Sequence, residues 1–147
     1  MINVLKAFLP AVILTFVLAR ILSTQMILAN VQAMGLDVSL RVRMATTLQD
    51  ILGMTSSYLL LIALAFILAL PVAGWLAKRL PARSALLFAS AGFVAIVALH
   101  IALQSALGIH AIAVTRTLPG LLGQCLAGAT GGWCYYLLRQ RFSPAQG

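Results

Sequence analysis

Five residues in this sequence are of types that could do chemistry together: Arg20, Asp50, His100, Gln104 and Arg116. Each stands in or beside a long apolar run. Arg20 lies fourteen residues after Lys6, about 21 Å along a helix axis. His100 lies sixteen residues after Ser84, about 24 Å by the same rise, and Gln104 follows one turn later on the same face. Asp50 and Arg116 stand where the second and fourth apolar runs open. Two guanidinium groups near a single carboxylate could hold an anionic or neutral solute, and an imidazole could exchange a proton with it. The bland account is an ion pair of Asp50 with Arg20 or Arg116, the other side chains snorkelling to headgroups. Ionisable groups in an apolar helix make these five a candidate ligand or ion site.

A second pattern is built from small side chains. Gly120, Gln124, Gly128 and Gly132 recur every four residues, and Gly123, Ala127 and Gly131 form a second row beside them. Rows of small residues let helix backbones approach closely. The seven are expected to serve helix packing within one bundle or a subunit interface. Gln124 sits in the middle of that apolar helix, and its amide needs a partner. The candidates are Gln124 of another subunit or a polar group on the first or third span.

Several chemistries lack material. Asp37 and Asp50 are the only acids, so a paired-carboxylate mechanism has no convincing residues. His100, His110, Cys125 and Cys134 do not have metal-ligand spacing, and no metal is expected. The two cysteines are nine residues apart, about 13 Å along a helix and on opposite sides, so they are expected to be free thiols. No glycine-rich phosphate loop follows a strand. Ser56 and Ser57 are hydroxyls in an apolar helix, where such groups bond back to helix carbonyls. No cofactor is expected.

The elements that must position these residues follow from charge. Asp, Glu, Lys and Arg are 8% of the 147 residues, against 63% hydrophobic, and the mean hydropathy is +1.07. A soluble domain carries about a quarter charged residues. The sequence therefore predicts an all-α integral membrane protein, with four transmembrane helices in a single bundle and one domain over 1–147. The expected spans are about 4–24, 48–77, 84–107 and 117–138, with 25–47 as an outer connection. Lys6 and the apolar run after it have the shape of a signal peptide. No small-x-small site follows and Arg20 interrupts, so this reads as an uncleaved first span.

Local signals refine the boundaries. Only Arg20 interrupts the uncharged stretch up to Leu36, so the first helix could run on until Gly35 breaks it. Residues 37–44 alternate polar and apolar, the period of a half-buried strand; a short interfacial helix or an extended surface segment fits equally. Thr46 to Gln49 fits a capping box that opens span two, with Asp50 in the first turn. Pro71 is expected to kink that span, and Ser84 is expected to cap span three.

Lys6, Lys78, Arg79, Arg83, Arg139 and Arg141 fall on one side of these spans; Arg20, Arg41, Arg43 and Arg116 fall on the other, with both acids. The acid-free side is expected to be cytoplasmic, together with both termini. The net charge of +8 is thereby accounted for by membrane lipids as partners, and nucleic acid is not expected. One four-helix bundle has little room for a pathway. The first expectation is therefore a small, multi-pass inner-membrane protein working as a homo-oligomer or with other membrane subunits. Its role would be transport or passage of a small neutral or anionic solute. A membrane-embedded enzyme acting on a lipid or quinone-like substrate is the first alternative, although the sequence leans away from an enzyme. A non-catalytic accessory or structural subunit is the second.

Overall fold

The computed structural model describes residues 2–53, 55–107 and 117–142, and no strand occurs among them. Helix α1 (Ile2–Ala33) is 32 residues long, about 48 Å. It overruns the roughly 30 Å hydrocarbon core of a bilayer because nothing up to Ala33 breaks it. Termination comes at Gly35, whose φ of 85° lies in the left-handed region where a glycine meets no Cβ penalty. There the Met34 and Gly35 amides donate back to Asn30 and Gln32 at 3.2 and 3.0 Å.

Helix boundaries depart from the sequence expectations at the end of α1 remote from Lys6. The supposed connection 25–47 is mostly helical, because α1 continues to Ala33 and α2 spans Leu40–Gly53. The alternation over 37–44 is thus not a strand; with no partner strand for its backbone groups, helix satisfies them locally. Ser39 starts α2, its Oγ accepting from the Val42 amide at 3.4 Å. The Thr46 to Gln49 pair lies inside α2 and caps nothing. At span two the described helix begins before 48, with α2 running to Gly53, and α3 spans Thr55–Arg79.

A short 3₁₀ turn, Pro81–Arg83, then leads directly into α4 (Ser84–Leu107). Ser84 is not an N-cap. It already has helical dihedrals, and its hydroxyl donates back to the Pro81 carbonyl at 2.8 Å. The last helix is α5 (Leu118–Phe142). Arg116, His110 and the tail 143–147 lie outside the described residues.

The four long helices pack in sequence order around a ring: α3 on α4, α4 on α5, and α5 back on α1. The α1–α3 side has the thinnest packing. Helix α2 folds back along α1. Three segments, Val4–Ala33, Ser57–Arg79 and Pro81–Ala106, are long and apolar enough to cross a membrane. Outward-facing surface agrees with that solvent: Leu60, Leu64, Leu68 and Val72 form a stripe on α3 that is 55–70% exposed. In water so large an apolar patch would drive association, whereas acyl chains cover it without penalty. Helix α5 is as long as α3 but spends its buried face on glycines and Gln124, which lowers its hydropathy.

Those glycines set the bundle's tightest seam. A Cβ built on Gly92 would overlap the Gly128 carbonyl, and one on Gly132 would overlap the Phe88 carbonyl. The α4 and α5 backbones therefore touch along this line, as in close-packed membrane helices. On its other side α5 meets a stripe of small residues on α1. Ala7, Ala11, Thr15, Ala19 and Ser23 recur every four residues and are all buried, and Gly131 faces Ala11 and Thr15.

Candidate functional site

Above that seam the four helices of the ring and α2 bring polar side chains into one layer. Gln124 is fully buried. Its Nε2 donates to the Ser23 hydroxyl at 2.6 Å and to the Ala19 carbonyl at 2.9 Å. Its Oε1 accepts from the Tyr58 hydroxyl at 2.9 Å. Both amide protons and one acceptor site are thus used, which removes most of the desolvation penalty of an amide in an apolar interior. The partners come from α1 and α3. Of the groups expected to satisfy Gln124, the first span supplies Ser23, and the second span adds Tyr58.

Tyr58 also carries the layer sideways. Its ring meets His100 edge-on, with centroids 6.4 Å apart and planes at 69°. His100 Nδ1 is 2.8 Å from the Ile96 carbonyl oxygen. A carbonyl can only accept, so Nδ1 carries the proton in this arrangement. The imidazole is thereby tied to its own helix, one turn back.

The ionic part of the layer joins α1 to α2. Arg20 is 5% exposed, and its Nη2 lies 3.6 Å from Asp50 Oδ2. The same oxygen is 2.7 Å from Thr24 Oγ1, which is also 3.0 Å from the Arg20 carbonyl. One hydroxyl proton cannot serve both, and the shorter, charge-assisted contact to Asp50 is the stronger. Asp50 keeps 34% of its side chain exposed. Arg20 Nε is buried and has no acceptor among the described residues. A buried guanidinium carries five N–H donors, and here one contact at 3.6 Å is its ion pairing.

Further along, α2 is zipped to α1 by side-chain hydrogen bonds in which Arg43 meets neutral amides. Arg43 donates to Gln25 at 2.8 Å and to Gln32 at 2.7 Å, while Gln25 donates to Thr47 at 3.3 Å. Thr47 in turn donates to the Arg43 carbonyl, 2.7 Å away.

Of the five candidate residues, Arg20 and Asp50 meet directly and His100 joins the layer through Tyr58. Gln104 does not: it is exposed on α4. Arg116 lies outside the described residues. Among the packing residues, Gly128 and Gly132 face α4 and Gly131 faces α1. Gly120 and Ala127 are buried, and Gly123 sits against Leu22 of α1 at van der Waals distance. Cys125 and Cys134 are both free. Sequence reasoning missed Ser23, Thr24 and Tyr58. The signal for the first two was the polar triplet Ser23-Thr24-Gln25 inside an apolar helix, whose members had no use there except to bond something across the bundle.

As chemistry, the layer divides in two. The Gln124 cluster closes on itself. The Arg20 side presents a cation with spare donors next to a partly exposed carboxylate, an arrangement able to take an anionic or carbonyl oxygen. No protein-family model matches this chain, and no curated protein or solved structure is similar to it.

Proposed function

We propose that this chain is a small multi-pass membrane protein that passes or binds a small anionic or neutral solute at the Arg20 end of its polar layer. In this reading α1, α3, α4 and α5 all cross the membrane. The end bearing Lys6, Lys78, Arg79, Arg83, Arg139 and Arg141 is cytoplasmic, as the excess of cations over acids there favours. For a bacterial chain the membrane would be the inner one. It works as an oligomer or beside other membrane subunits, since a single bundle this size has little interior for a pathway.

The observation that carries the reading is the buried Arg20, whose Nε has no acceptor among the described residues. A charge in so apolar a setting is expensive and persists where it has a use. A second reading, an accessory subunit with no solute of its own, draws on the backbone contact of α4 with α5 and the self-closed Gln124 cluster. An enzyme reading has less support, because His100 is bonded back to its own helix.

Light scattering from proteoliposomes after an osmotic step, with glycerol, nitrate or acetate as the solute, tests this. Faster swelling than protein-free liposomes for at least one solute, lost in Arg20→Gln, is the expected result. Equal rates for every solute with and without protein would leave the accessory reading in its place.

A further inference from the structure

The groove on the thin α1–α3 side, at the opposite end from Arg20, has features of its own. Its volume is about 790 Å³, within the range of pockets that hold small molecules. The floor is apolar, with Phe8, Phe66, Leu70 and Pro71 among its residues, and its two charged lining residues are Lys78 and Arg139. From Lys78 down to Phe66 is twelve residues of α3, about 18 Å. That is close to the roughly 15 Å of hydrocarbon in one leaflet. Trp75 lines the groove one turn below Lys78, where an indole marks the level of the headgroups.

Arg139 lies against α3: a Cβ added to Gly74 would come 3.2 Å from its Nη1, so the bare glycine leaves room for the guanidinium to rest on that helix. On its other side the guanidinium carbon is 5.7 Å from the Phe88 ring centroid. Neither acid of the chain is near: Asp37 stands in the turn before α2 and Asp50 on α2, at the far end. Two cations at the mouth of an apolar, leaflet-deep groove therefore have no Asp or Glu side chain to meet.

We propose that this groove holds one anionic phospholipid, an acyl chain along α3 and its phosphate on Lys78 and Arg139. Arginine suits a phosphate because its planar donors reach two oxygens at once, and lysine adds a mobile point charge. The groove is remote from Arg20 and the proposal does not depend on any solute passing there. It needs only that the basic end meets a membrane surface.

The test is native mass spectrometry and thermal melting of the full chain in neutral detergent, titrated with phosphatidylglycerol or with phosphatidylcholine of the same chains. One equivalent of phosphatidylglycerol is expected to stay bound and raise Tm, with phosphatidylcholine much weaker. Lys78→Gln and Arg139→Gln should each weaken retention about fivefold, the equivalent of one cation at a lipid surface. Lys78 is exposed, so its substitution tests the site without disturbing the fold. Arg83→Gln removes the same charge from the same end outside the groove, and should change nothing. Equal retention of the two lipids would overturn the proposal. So would an equal loss in Arg83→Gln, or stabilisation by inorganic phosphate matching that by phosphatidylglycerol.

Discussion

Gln124 holds three helices through one amide, and what it replaces in its neighbours sets the effect of losing it. In Gln124→Leu the Ser23 hydroxyl can turn back to its own helix, but the Tyr58 hydroxyl loses its acceptor. An unsatisfied buried group costs about 1–3 kcal/mol. Interhelical bonds in membranes average about 0.6 kcal/mol with a maximum near 1.7. The expected loss is therefore about 2 kcal/mol in reversible denaturation from detergent micelles. A double-mutant cycle with Tyr58→Phe should show coupling of about 1 kcal/mol; no coupling would mean that the bond is not formed in the membrane. At the ionic pair, Asp50→Asn should destabilise by about 2 kcal/mol, since a charge-assisted bond to Thr24 and the Arg20 contact both weaken. This is less than the cost of breaking a fully buried pair, because Asp50 is one-third exposed. Asp37→Asn, on an exposed turn residue, should be neutral within about 0.5 kcal/mol. Identical melting of the two Asn variants would remove the pair from the account of stability.

The helices make contrasting demands on their glycines. Gly128→Ala should strongly destabilise the protein, because the added methyl meets the Gly92 carbonyl and the Ile96 side chain. By contrast Gly123→Ala places its methyl 3.8 Å from Leu22 Cδ1, an ordinary contact, and gains helix propensity of up to about 1 kcal/mol. Thermal melting of the two variants should therefore move in opposite directions. Sequence pattern places Gly128 and Gly123 in two adjacent rows of small residues, and such rows do not by themselves say how close each member comes to a backbone. The same limit applies to α1, where Ala7, Ala11, Thr15, Ala19 and Ser23 form the matching row. Alanine is so common in apolar helices that its period of four carries little signal. Helix α2 was illegible for another reason. Its alternation over 37–44 imitates a strand, and the true start signal is a single serine, Ser39.

At the scale of the molecule, charge was the legible feature. The gaps between charged residues mark where α3, α4 and α5 lie, and the gathering of six cations at one end survives in the fold. What charge could not convey is depth: α1 is longer than a bilayer core is thick, and its C-terminal third pairs with α2. Orientation is open to a direct check. Cys125 and Cys134 are first replaced by alanine, and single cysteines are then introduced at Leu80 or Leu36, both exposed. An impermeant maleimide added to intact cells should label position 36 and spare position 80. The reverse result would invert the chain in the membrane.

The ring closes last where its polar layer is most dependent. Ser23 and Tyr58 take their partner from a residue 101 and 66 positions later. At 5–20 residues per second, a ribosome needs about 5–20 s to travel from codon 23 to codon 124. For that interval the nascent helices hold hydroxyls in lipid with only their own carbonyls to bond. The small-residue stripe of α1 stays uncovered as well. Insertion of the early helices and completion of the bundle are therefore separate events in biosynthesis. A chain stopped before Gln124 would carry the Ser23 and Tyr58 hydroxyls without their interhelical partner.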